Sequence, residues 1–144
     1  PVGRLDIESR GALLLTNQGE LTLRLTHPRY EHTKTYLVWI NGQLSIENIQ
    51  KWRSGLLLDG QLTMKAKVKI VRSTLDRSLL EIELREGRNR QIRRTAKLLG
   101  HHVLDLQRVN ISGISLGDLN EGCWRELHEH EWKYLLRSDK PMSL

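Results

Sequence analysis

The chain has 144 residues with 38% hydrophobic and 28% charged content, a net charge of +6 and a sequence pI near 9.8. That is enough chain to bury one domain core, and no apolar run approaches the ~20 residues of a membrane helix. The single cysteine, Cys123, excludes an internal disulfide and a cysteine zinc cluster, and reads as a small buried hydrophobe of a reducing cytosol.

In chain order, Ala12-Leu13-Leu14-Leu15 suits a buried strand, and Thr16-Asn17-Gln18-Gly19 is turn chemistry. Leu21 and Leu25 lie four apart and predict a short amphipathic helix over 20–26, ended by Pro28. Residues 32–40 alternate, with Tyr36, Val38 and Ile40 on one face, and predict a strand broken by Asn41-Gly42. Ser45 is a good N-cap for a helix over 46–54, whose stripe is Ile46, Ile49 and Trp52 and whose stop is Gly55. Leu56-Leu57-Leu58 followed by Asp59-Gly60 reads as a short strand and a turn. Ala66, Val68 and Ile70 alternate with lysines, and Leu80, Ile82 and Leu84 with glutamates. The pair predicts a hairpin through Ser73 to Arg77 with opposed charges outside.

Asn89 is placed to cap a helix with Ile92, Ala96 and Leu99 inward and Gly100 at its end. A strand runs from Val103 to Ile111, and a short final strand is expected at Cys123 to Leu127. A helix over 129–137 turns Trp132, Leu135 and Leu136 inward, and 138–144 is a loose tail. Residues 1–137 thus read as one α+β domain, a mixed, mostly antiparallel β-sheet with flanking helices.

Two stretches could carry chemistry. Residues 85–94 hold five arginines against one acid, between a strand and a helix. A basic run alone reads as a solvated face, but a turn that gathers guanidiniums and free N–H groups also suits an anion. The basic balance of the whole chain points to a polyanion such as nucleic acid. Far away in sequence stands Asp6, in Gly3-Arg4-Leu5-Asp6. A carboxylate paired with an arginine stays ionised and oriented, which suits a nucleophile or general base; Arg4 and the arginines of 88–94 are all candidate partners. Tyr36 is either core packing or a ring that stacks on an unpaired base.

Val2-Gly3-Arg4-Leu5-Asp6 with Ser9-Arg10-Gly11-Ala12-Leu13-Leu14-Leu15-Thr16-Asn17 closely resembles the catalytic motif of the bacterial ribosomal pseudouridine synthases of the small-subunit type. Lys34-Thr35-Tyr36-Leu37-Val38 resembles their second motif, and Glu86-Gly87-Arg88-Asn89-Arg90-Gln91-Ile92-Arg93-Arg94 their third. The likeness continues in order to about residue 132. Ala12 stands where that family usually has Leu, and Gln18 where it has Asp. Family members normally carry more catalytic domain and a small basic RNA-binding domain upstream, so the expectation is a catalytic domain lacking its N-terminal part.

The resemblance implies an RNA-modifying isomerase with the pseudouridine synthase fold. Asp6 would be the aspartate that attacks the target uridine, at the base or at the sugar. Arg93 would pair with that aspartate, and Tyr36 would stack on the flipped base. Arg4, Arg88, Asn89, Arg90, Arg94 and Arg108 would contact the RNA, and Leu106 would pack against the uracil. The resemblance implies no cofactor and no metal. It implies ribosomal RNA, free or within a pre-ribosomal particle, as the partner of a cytoplasmic monomer. The competing expectation is a non-catalytic RNA-binding domain, which would have no need of Asp6.

Overall fold

Strand β2 (Lys34–Asn41) is the middle strand of the main sheet. The computed structural model describes residues 1–137, apart from the side chains of Leu136 and Arg137; the expectations for Leu136 and for 138–144 lie outside the described residues. Around β2 the sheet is built from β1 (Arg10–Gly11), β5 (Lys67–Ser73), β6 (Arg77–Leu84), β7 (Val103–Ile111) and β8 (Ile114–Ser115). The order is β1-β7-β2-β6-β5, with β8 paired on β7. All pairings are antiparallel except β1 with β7. The mixed, mostly antiparallel architecture expected from the sequence is therefore the one found.

Period-two alternation explains the faces. Val38, Ile40, Leu80 and Ile82 are fully buried on one side, and Leu84, Leu106 and Val68 join them. Helices α2 (Ile46–Ser54) and α3 (Gln91–Leu98) close that side with Ile49, Trp52, Ile92 and Ala96. Burying side chains of this size contributes about 2 kcal/mol each. On the hairpin β5–β6, Lys67 faces Glu83 and Lys69 faces Glu81, as expected from the alternating charges.

Helix α2 starts where Ser45 predicts: Ser45 Oγ accepts from Asn48 N at 3.1 Å, a cap worth about 1 kcal/mol. Gly55 ends it at φ 106°, and a Cβ there would meet Thr63 O at 2.4 Å. Ile46, the first residue of α2, departs from the expected stripe and is exposed. Between α2 and β5 lies a two-stranded ribbon, β3 (Leu57–Leu58) and β4 (Gln61–Leu62).

A second, smaller core gathers Val2, Leu14, Leu25, Ile111, Ile114 and Leu135, using helices α1 (Gly19–Thr26) and α4 (Glu129–Arg137). Here four expectations fail. The strand expected at 12–15 is reduced to one bridge, Val2 with Leu14, while Leu13 and Leu15 are exposed; the pairing strand is the preceding Arg10–Gly11. No strand forms at 123–127, where Cys123 N turns back to Asn120 O at 3.1 Å. Cys123 itself is exposed. Trp132 is 40% exposed, so Leu135 rather than Trp132 anchors α4.

Candidate active site

The loop from Gly3 to Ser9 is tied at both ends before it reaches the sheet. Val2 N donates to Leu14 O at 2.8 Å, and Ala12 N to Arg108 O at 2.8 Å. Between these ties, Asp6 is half-buried and Ser9 N closes a turn on Asp6 O at 2.9 Å. Opposite lie the ends of β2 and β7 and the first turn of α3. Together they enclose an open cleft of about 810 Å³, lined by Asp6, Lys34, Tyr36, Arg93, Leu106 and Arg108 among others. That volume is in the range of small-molecule sites. The sheet register accounts for part of this grouping. Tyr36 and Arg108 are cross-strand partners, and Lys34 lies two residues before Tyr36 on the same face.

The cleft is cationic. Arg108 is only 4% exposed. Its Nε donates to Ala12 O at 2.9 Å and its Nη1 to Arg4 O at 3.4 Å, bracketing the Asp6 loop, while Nη2 is buried without a partner. Arg108 thus braces the loop from a buried position while lining the cleft. Burial lowers the Lys34 ammonium pKa, and the Arg108 charge lowers it further. Burial raises the Tyr36 hydroxyl above its ordinary value; Arg108 opposes that shift and Asp6 adds to it. Leu106, buried at 5% exposure, also lines the cleft. Arg4 is exposed along the wall. Sequence reasoning passed over Lys34 as a site residue, although its spacing from Tyr36 was the available signal.

The arginine-rich turn divides differently from expectation. Asn89 does not cap α3. The N-cap is Arg90, in the left-handed region at φ 49°, with no side-chain cap bond. The turn is held instead by buried Gln91, whose Nε2 donates to Glu86 Oε1 at 2.9 Å and whose Oε1 accepts from Arg88 N at 3.3 Å. Glu86 Oε1 also accepts from Met64 N at 2.8 Å. Exposed Asn89 offers its carbonyl to Arg94 Nη1 at 3.1 Å.

Arg88 and Arg94 are engaged with the β3–β4 ribbon. Arg88 donates to Leu58 O and, at 3.2 Å, to Gln61 O; Arg94 Nη2 meets Asp59 Oδ2 at 2.7 Å. They clamp the ribbon where free RNA contacts were expected. Arg88→Ala should therefore speed amide exchange across Leu58 to Leu62 and lower unfolding free energy by about 1 kcal/mol. An arginine used only for RNA would leave both unchanged.

Arg93 does not meet the expectation of an Asp6 pair in the free protein. Its Nη2 donates to Ser9 Oγ at 3.2 Å, and its Nε, buried without a hydrogen bond, lies 4.0 Å from Glu8 Oε2. Arg90 Nη1 takes the same Glu8 oxygen at 2.6 Å. Among the described residues Asp6 makes no ion pair, although its charge acts on Arg90 and Tyr36. The carboxylate that stands at both arginines is that of exposed Glu8. Arg90 and Arg93 do share a face, as their spacing of three predicted.

A carboxylate, a partly buried tyrosine and three basic side chains around one cleft suit an anionic substrate with a planar group. Among the described residues no cluster of three or more His, Cys, Asp or Glu side chains could hold a metal ion. No helix among them is long and apolar enough to cross a membrane.

Known proteins resemble this chain over nearly its whole length. The chain is 40% identical over 139 residues to the ribosomal large subunit pseudouridine synthase B of Bacillus subtilis (strain 168), spanning 94% of this chain and 56% of that protein. It is 38% identical over 138 residues to an uncharacterized RNA pseudouridine synthase of Aquifex aeolicus (strain VF5), spanning 96% and 55%. It superposes on a crystal structure of a pseudouridylate synthase with TM-score 0.87 at 32% identity, over 93% of this chain and 58% of that one. The chain thus spans a little over half the length of these relatives. The family model described as RNA pseudouridylate synthase matches residues 1–98, which include Asp6, Tyr36 and Arg93. On the strength of that match and of the relatives, this chain belongs to the RNA pseudouridylate synthase family.

Proposed function

We propose that residues 1–137 form the catalytic domain of a synthase that isomerises a uridine of ribosomal RNA to pseudouridine. The observation that carries this reading is the convergence of Asp6, Tyr36, Lys34, Arg93 and Arg108 on one cleft. Asp6 is the nucleophile. Tyr36 stacks on the flipped uracil and assists the proton at C5, and Leu106 packs beside the ring. In the reaction the N1 glycosidic bond breaks and a bond from C5 to the ribose carbon forms. C5 loses its proton to solvent and N1 gains one. Substrate and product are isomers, so the step calls for no oxidant or reductant.

The uridine leaves its helix to reach the cleft, at a cost of a few kcal/mol. Arg4 and Arg90 at the rim offset part of that through phosphate contacts, which carry little sequence information. With substrate seated, Arg93 Nη2 turns from Ser9 Oγ to hold the Asp6 carboxylate. A domain that only bound RNA would have no use for a half-buried carboxylate facing this cleft. Relatives named as ribosomal large subunit pseudouridine synthases favour large-subunit RNA as the substrate; free or pre-ribosomal RNA meeting a cytoplasmic monomer completes the reading.

The test is release of tritium from ribosomal RNA labelled at uracil C5. Release above the rate of RNA alone supports the reading. RNA that is bound but keeps all its tritium would leave a binding domain as the better account.

A further inference from the structure

The arginines at the mouth of the cleft are already engaged by an acid, and the acid belongs to the catalytic loop. Glu8 stands two residues after Asp6 and is exposed. One of its oxygens, Oε2, lies 2.6 Å from Arg90 Nη1 and 4.0 Å from Arg93 Nε. The two arginines come from the N-cap and first turn of α3, more than eighty positions along the chain. Three features mark this contact as more than a surface ion pair. Arg90 reaches it from a left-handed backbone conformation that non-glycine residues rarely hold. Arg93 Nε is buried, aimed at the same oxygen, and has no hydrogen-bond partner. The carboxylate satisfies one arginine well and the other poorly, leaving a donor in reserve.

We propose that Arg90 and Arg93 form a subsite for one backbone phosphodiester of the substrate RNA, and that the Glu8 carboxylate fills it in the free protein. The inference rests on the RNA reading of the cleft and adds an occupant to it. A phosphodiester presents two non-bridging oxygens, one for each guanidinium, where Glu8 faces both arginines with the single oxygen Oε2. Its arrival displaces Glu8. It also loosens the hold of Glu8 on the loop that carries Asp6, so that Arg93, with Nε on the phosphodiester, can offer Nη2 to that carboxylate. Glu8 thus keeps two converging arginines ordered without RNA and competes with RNA for them.

The experiment measures binding of fluorescently labelled polyuridylate to the wild-type chain, Glu8→Gln, Arg90→Ala and the double variant, across a salt series. Removing the competing charge should tighten binding by about fivefold in Glu8→Gln. The gain should vanish when Arg90 is already alanine, which is the signature of coupling between the two side chains. Arg90→Ala alone should weaken binding and lower the salt slope by about one. Glu8→Ala, read in parallel, should reproduce the gain and guards against an effect peculiar to glutamine.

A gain of equal size with and without Arg90 would reduce Glu8 to a general negative charge and overturn the inference. So would binding no tighter than wild type in both Glu8 variants. If the wild-type chain itself does not bind polyuridylate, the RNA reading falls and this inference with it. A wild type that binds beside unaltered Glu8 variants removes the inference alone.

Discussion

Asp6→Asn should abolish tritium release from C5-labelled RNA, by on the order of 10⁴-fold or more, while leaving the fold and RNA affinity nearly unchanged. The substitution keeps the shape of the side chain and removes its charge, and with it the nucleophile. The fold should tolerate it because the loop is held by backbone bonds, Val2 to Leu14 and Ala12 to Arg108, that do not involve the Asp6 side chain. Affinity should hold or rise, since Lys34, Arg93 and Arg108 remain and one anion has gone from a cationic cleft. Circular dichroism, polyuridylate binding and tritium release on the same preparation separate these effects. Release at the wild-type rate would remove Asp6 from the mechanism. Loss of release together with loss of fold would place Asp6 among the structural residues of the loop.

What the sequence disclosed follows from how far each signal reaches. Alternation over eight or nine residues is a local record of burial, so β2, β6 and β7 were legible, as was the cap of α2 at Ser45. The strand Arg10–Gly11 was not, because two residues carry no period and its partner lies 97 positions away, at Gln107 and Arg108. Leu13 and Leu15 misled for the opposite reason: an apolar run reports hydrophobicity, not which face is covered.

At the site, the residue types were legible and their partners were not. The resemblance marked Arg88 and Arg94 as RNA contacts, but in the fold they reach Leu58 O, Gln61 O and Asp59 of a ribbon that sequence spacing does not align with them. Asn89 looked like a cap because its residue type favours one. Buried Gln91 and half-buried Glu86, which also accepts from Met64 N, hold the turn and leave Arg90 in the cap position. Likeness to a family placed Asp6 and Arg93 in one site, and the fold brings them into one cleft. It could not show that Glu8 stands at the arginines in the free protein, since that depends on the reach of a side chain.

Arg108→Met and Gly11→Ala should each cripple the synthase from opposite sides of one joint. Arg108 crosses from β7 to hold Ala12 O and Arg4 O, the carbonyls that bracket Asp6. Methionine fills much of the space and leaves both carbonyls without their charged donor. The loss should be about 2 kcal/mol of stability, less than two orphaned acceptors would suggest, because a buried cation with an unpartnered Nη2 is removed with it. Activity should fall further, by about 10²-fold, since a loop displaced by an ångström misplaces the nucleophile. The Tyr36 hydroxyl should also titrate still higher, because the charge that opposes its upward shift is gone.

Gly11 meets Arg108 across the parallel pair at φ 117°, where a Cβ would lie 2.2 Å from Arg108 O and 2.5 Å from Arg108 N. Neither backbone atom can swing aside as a flexible side chain would. Alanine must therefore push β1 off β7, at about 3 kcal/mol or more. Both variants should lower kcat far more than they weaken polyuridylate binding, because the rim arginines are untouched. Combined, they should cost less than the sum of the two, since the first already opens the joint that the second attacks. A Gly11→Ala chain that melts with the wild type would show that β1 does not hold the catalytic loop to β7. Full additivity would show that the glycine and the arginine support Asp6 by separate routes.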